Sequence, residues 1–119
     1  MWATVSEQIR TDLIANSNLT ALLTNGNNSI YPLVADDEEG DSFVNYTIKD
    51  NGYSSKDKAR SFTIIIECWS NGYNASIAIA DEVLNAIESA PSIYNYEGGQ
   101  PHFQKEEIYY TELIINILK

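Results

Sequence analysis

The chain has 119 residues, with 17 Asp and Glu against 7 Lys and Arg, for a formal net charge of −10. Apolar residues make up 44% and aromatics 11%, too much for a disordered acidic chain. The length suits a single domain over residues 1–119, and the charge opposes both nucleic-acid binding by phosphate neutralisation and adsorption to anionic membranes.

Val5, Ile9 and Leu13 recur every four residues and predict a first helix over roughly residues 4–16. Thr4 and Glu7 match a capping box at its start. Asn16-Ser17-Asn18 interrupts it, and Leu19, Leu22 and Leu23 predict a short second helix or turn that stops at Asn25-Gly26-Asn27-Asn28. Ser29 to Ala35 reads as a short extended segment, and Pro32 places it at a sheet edge. Asp36-Asp37-Glu38-Glu39-Gly40-Asp41 is expected to be a loop, because its acids repel one another.

Phe43 to Lys49 alternates as a strand, with Val44, Tyr46 and Ile48 on one side. Asp50 to Ala59 is polar, carries Gly52, and is expected to be a long hairpin loop. Arg60 to Trp69 is β-branched and aromatic throughout and gives the strongest strand pattern. Phe62, Ile64, Ile66 and Cys68 share one face; Thr63, Ile65, Glu67 and Trp69 share the other. After a turn at Ser70-Asn71-Gly72-Tyr73, Asn74 is a candidate cap for a helix to about Ser89. Its expected buried stripe is Ile77, Ala80, Val83, Leu84 and Ile87, and Pro91 closes it. Ser92 to Gln100 is expected to be irregular, His102 to Glu107 a short strand, and Ile108 to Leu118 a long final strand with Leu113, Ile115 and Ile117 inward. This order of elements predicts an α+β two-layer sandwich: an antiparallel sheet of about four strands with helices packed on one face.

Little in the chain suggests catalysis. The single histidine, His102, rules out a two-histidine metal site and is expected to lie exposed in a loop. The single cysteine, Cys68, rules out an internal disulfide and is expected to be a buried structural thiol, since reactive thiols need an electropositive, partly open setting. The acidic run lacks the spacing of a calcium loop, and Gly98-Gly99 has no lysine after it, unlike a phosphate loop. No enzyme activity, cofactor or metal is expected. Met1 to Glu7 shows neither the basic nor the apolar block of a signal peptide, and the longest apolar run, Ile64-Ile65-Ile66, is far short of a membrane span. A soluble chain made in a cytoplasm is expected.

Two charged segments stand out. Lys49, Lys56, Lys58 and Arg60 gather basic charge around the expected hairpin loop, one strand away from Asp36, Asp37, Glu38, Glu39 and Asp41. Solvated loops account for both. The sharper expectation is that opposite charges meet between copies of the chain, since a head-to-tail contact builds a ring when its rotation closes.

Three blocks resemble the small tail-completion (tail-terminator, or head–tail joining) proteins of long-tailed phages. They are Ser29-Ile30-Tyr31-Pro32-Leu33-Val34-Ala35 with the strand that follows at Ser42 to Tyr46; Arg60 to Trp69 with Ser70-Asn71-Gly72-Tyr73 and the helix behind it; and the closing strand Glu107 to Ile117. The sequence departs from the pattern at 36–41, which is unusually acidic, and over 91–106. The resemblance implies a non-enzymatic virion protein at the head-proximal end of the tail, present in the host cytoplasm before assembly. Such proteins act as rings, commonly of six subunits, that stop tube growth and dock the head connector. The implied partners are further copies of the chain, the tail tube protein and the head connector, with DNA passing through the lumen without specific binding and no membrane involved. An acidic lumen would repel DNA phosphates. Loop 36–41 or the loop at 50–59 is then expected to face the lumen or the neighbouring subunit. Other head–tail adaptors, tail tube proteins and acidic binding or inhibitor modules share the same gross features.

Overall fold

The computed structural model describes residues 2–24, 26–32, 42–54, 59–89, 94–105 and 108–118. Its elements are α1 (Trp2–Ile14), α2 (Ser17–Leu22), a 3-10 turn (Gly26–Ser29), β1 (Ile30–Pro32), β2 (Phe43–Ser54), β3 (Ala59–Ser70), α3 (Tyr73–Ser89), β4 (Tyr94–Lys105) and β5 (Ile108–Leu118). The strands form one sheet in the order β1-β2-β3-β5-β4. Strands β2 to β5 pair antiparallel, and the three-residue β1 adds to the β2 edge in parallel. The expected α+β sandwich is therefore the observed one, with Pro32 in an edge strand as predicted.

All three helices cover one sheet face. Val5, Ile9 and Leu13 of α1 and Leu19 of α2 join Ile79, Val83 and Ile87 of α3 over Phe62, Ile64, Ile66, Leu113, Ile115 and Ile117. Each fully buried aliphatic side chain of this kind contributes about 1.5–3 kcal/mol by leaving water. Cys68 lies fully buried in the same layer, as expected for a structural thiol, and burial, with Glu67 as a smaller cause, pushes its thiol far up from the ordinary value.

Several local expectations are corrected. Helix α1 begins at Trp2, so Thr4 lies inside its first turn and is not its cap, and the helix ends at Ile14. Asn16, read only as an interruption, is the N-cap of α2: its side chain accepts from the Asn18 and Leu19 amides at 3.0 and 3.4 Å. Asn74 also lies inside its helix, because α3 starts at Tyr73. The buried stripe of α3 is Ser76, Ile79, Ala80, Val83, Ala86 and Ile87; Ile77 lies one position off it, and Leu84 packs at its margin. Ser76 fits the stripe because its hydroxyl bonds to the Tyr73 carbonyl at 2.9 Å and meets the Thr111 hydroxyl at 3.1 Å.

The largest corrections concern the sheet. Asp50 to Ala59 is not one long loop: β2 runs to Ser54 and β3 starts at Ala59, with Tyr53 opposite Arg60. Tyr94 to Gln100 is not irregular but the first half of β4, a 12-residue edge strand. Pairing with β5 shifts between Tyr96 and Gly98 and again between Phe103 and Lys105. Gly98 takes φ +130° at the first shift, a conformation open mainly to glycine. His102 is accordingly in a strand, half-buried, and not in an exposed loop.

Candidate functional site

Among the described residues, no helix covers the second face of the sheet, and the strand register sorts its side chains into rows. The first row is aromatic. Phe43, Trp69, Tyr110 and His102 lie side by side across β2, β3, β5 and β4. Their rings stack in sequence, at centroid distances of 5.8, 4.4 and 4.7 Å and interplanar angles of 11°, 23° and 16°. Such offset stacks add to the stability from burial alone.

The second row is Asn45, Glu67, Glu112 and Gln100. Trp69 Nε1 donates to Asn45 Oδ1 at 2.8 Å, and Asn45 Nδ2 donates to Glu67 Oε1 at 3.0 Å. Asn45 thus ties the aromatic row to the acidic one. Glu67 and Glu112 stand directly opposite each other, a cross-strand pairing that costs stability because the charges are alike. His102 Nε2 lies 3.9 Å from Glu112 Oε1, outside hydrogen-bond distance. Burial, followed by the Glu67 and Glu112 carboxylates, pushes the Tyr110 phenol above its ordinary value.

Thr47, Ile65 and Ile114 form a small third row. The fourth is a polar ladder: Asn51 Nδ2 donates to Thr63 Oγ1 at 2.8 Å, Thr63 Oγ1 donates to Asn116 Oδ1 at 2.9 Å, and Asn116 Nδ2 donates to Glu97. Lys49 stands opposite Thr63 in this row and is exposed.

Around the aromatic row, the helix side of the same sheet end carries a second cluster. Tyr109 packs edge-on to Tyr73 at 6.2 Å and against Phe103 at 5.4 Å. Phe103 is 65% and Tyr73 50% exposed, so apolar surface faces outward here. On the helix side, an open cleft of about 390 Å³ lies between Asn16 and Glu82. Asn16 Nδ2 donates to the Glu82 carbonyl there at 2.8 Å.

Of the residues singled out from sequence, Asp36, Asp37, Glu38, Glu39, Asp41, Lys56 and Lys58 lie outside the described residues. Lys49 and Arg60 are strand residues, as the alternation of Phe43 to Lys49 and of Arg60 to Trp69 predicts. The row of Phe43, Trp69, Tyr110 and His102 was not singled out. The alternation of β3 and β5 contains part of that signal, but the place of His102 depends on the register of β4. Among the described residues, no group of three His, Cys, Asp or Glu side chains is placed to hold a metal ion. No described helix is long and apolar enough to cross a membrane.

The fold itself has a counterpart among solved structures. The counterpart is a chain in the structure titled "Virion of native gene transfer agent (GTA) particle", with a TM-score of 0.74 and 14% identity. The chain shares its fold with a gene transfer agent virion chain. The match covers 94% of this chain and 91% of the virion chain, so it joins whole domains and not a shared fragment. At that identity the likeness is one of fold. No protein-family model and no curated protein sequence matches the chain.

Proposed function

We propose that this chain is a structural virion protein that caps the head-proximal end of a phage tail tube as a ring. It stops tube growth and forms the surface to which the head connector docks, with DNA passing through the lumen. The observation that carries this reading is the end-to-end fold correspondence with a chain of a phage-like virion. The sequence blocks at 29–35, 60–73 and 107–117 point the same way, and their described residues include β1, most of β3 with its exit turn, and most of β5. The net charge of −10 suits a passage that must not grip DNA.

Native mass spectrometry over a concentration series, alone and with isolated tail tubes, tests the reading. A closed ring that grows no further supports it, with six subunits the expected number. Long open polymers would assign the chain to the tube instead. A stable dimer, or a monomer that stays monomeric even on tube ends, would overturn it.

A further inference from the structure

Asparagine is followed by glycine at Asn25-Gly26, Asn51-Gly52 and Asn71-Gly72. Asn25 lies outside the described residues. The other two share the same local sequence, Asn-Gly-Tyr, and both asparagines are exposed, but the fold holds them differently. Asn51 lies within β2, and its Nδ2 donates to Ser61 Oγ at 3.3 Å and to Thr63 Oγ1 at 2.8 Å across the hairpin. Asn71 follows β3, whose last ladder pair is Ser70 with Tyr109, and precedes α3, which begins at Tyr73. No described residue hydrogen-bonds to the Asn71 side chain. No described backbone carbonyl accepts the Gly72 amide hydrogen, although the Gly72 carbonyl itself accepts from the Ser76 amide at 3.0 Å. Gly72 also has no Cβ to shield its nitrogen.

We propose that Asn71 is a site of spontaneous deamidation, with the Gly72 amide nitrogen as the nucleophile. That nitrogen gives its proton to a solvent base and attacks Asn71 Cγ. The new Cγ–N bond forms, the Cγ–Nδ2 bond breaks, and ammonia leaves with a proton taken back from solvent. The succinimide that results then takes up one water. Opening at the Cγ carbonyl gives aspartate on an unchanged backbone. Opening at the Asn71 backbone carbonyl gives isoaspartate, with the main chain running through Cγ and one carbon longer. The net change exchanges ammonia for water and needs no oxidant or cofactor. Aspartate would stand two residues ahead of α3, whose first turn holds no acidic residue, and negative charge there suits the helix dipole. Isoaspartate would lengthen the link at which the Ser76 amide closes on Gly72. If the chain is a virion protein as read above, it is not resynthesised after assembly, so either product accumulates with the age of the particle; the chemistry itself does not depend on that reading.

Incubation of the intact chain in mildly alkaline buffer tests the site, with peptide mass spectrometry over time and chromatographic separation of the aspartate and isoaspartate forms. In the folded chain the Asn71 peptide should convert about tenfold or more faster than the Asn51 peptide, the factor expected where two hydrogen bonds must break before reaction. In denaturing urea neither side chain is held, and the two rates should converge. The Asn71 rate should rise with pH, because the nucleophile must first lose a proton. Gly72→Ala should slow Asn71 by crowding that nitrogen. Its added Cβ meets Ala75 Cβ at 3.8 Å, an ordinary contact, so the variant should fold, and thermal melting checks that it does. Equal rates at Asn71 and Asn51 in the folded chain, or an Asn71 that stays intact while Asn51 converts, would overturn the assignment.

Discussion

Tyr94 donates its hydroxyl hydrogen to Asp12 Oδ2 at 2.5 Å and so ties the edge strand β4 to helix α1. The two residues are 82 apart in sequence. Asp12 is mostly buried, and its carboxylate also accepts from Gln8 Nε2 at 3.0 Å. The Tyr94 ring packs against the core, so one side chain serves both the apolar layer and the polar tie. Tyr94→Phe keeps the ring and removes the hydroxyl. It should cost about 1–3 kcal/mol, the range for a hydrogen bond to a charged group, measured by urea unfolding. An unchanged midpoint would show that Asp12 finds another donor.

The neighbouring glycines of β4 should fail differently when replaced. At Gly99 a Cβ would run into the Glu112 carbonyl oxygen and approach Leu113 Cδ2 to 2.8 Å. At Gly98 there is open space, but φ is +130°. Gly99→Ala is expected to destabilise by about 1–3 kcal/mol through overpacking against backbone that cannot yield. Gly98→Ala should cost about 1–3 kcal/mol through backbone strain. Crystal structures of the two variants would separate the causes: a displaced β4–β5 pair for Gly99, a changed bulge for Gly98.

Cys68 gives a pH dependence with a definite sign. The folded chain holds the thiol protonated, whereas the unfolded chain ionises near the ordinary thiol value of about 8.5. Above that pH the native state binds more protons than the unfolded state, so stability falls as pH rises, by up to about 1.4 kcal/mol per unit from this group. Cys68→Ala should flatten this slope between pH 8.5 and 10 in denaturant titrations, on the ~1.4 kcal/mol-per-unit scale above. In the same range, native Cys68 should resist alkylation and react only when the chain unfolds.

Asn16 serves two partners at the junction of α1 and α2. It caps the second helix and donates to the Glu82 carbonyl of α3. Asn16→Ala should cost about 1–2 kcal/mol, at the upper part of the range for N-caps because an interhelical bond is lost with the cap. Asn16→Asp would keep the cap and lose the donor, so it should fall between wild type and the alanine variant in thermal melting.

Strands β3 and β5 were legible because each is buried on one face and keeps strict alternation. The same alternation assigned Cys68 to the core and Glu67 and Trp69 to the open face. Strand β4 was not legible. Its Glu97-Gly98-Gly99 and Pro101 read as breakers, and only pairing with the long β5 makes Glu97 a bulge and holds Gly99 and Pro101 in register in an edge strand. The hairpin arms beyond Lys49 were missed for a related reason. Asp50, Asn51 and Gly52 are poor strand formers, yet Asn51 is held by the Ser61 and Thr63 hydroxyls at 3.3 and 2.8 Å across the hairpin. In α3, Ile77 competes with Ile79 for the buried stripe, and the small polar Ser76 hides the true phase. The aromatic row could not be assembled from sequence, because its four members come from four strands whose registers are set by tertiary packing.

The sheet offers little to an incoming strand at either margin. On one side β1 is three residues long and includes Pro32, which has no amide hydrogen to give. On the other, β4 interrupts its outer backbone with Pro101 and two bulges. Backbone pairing is the promiscuous way for β-proteins to join, since every peptide group can pair with any other. With that route blunted on both described edges, any contact made through this sheet falls to its side chains, where a single residue can decide whether a surface fits.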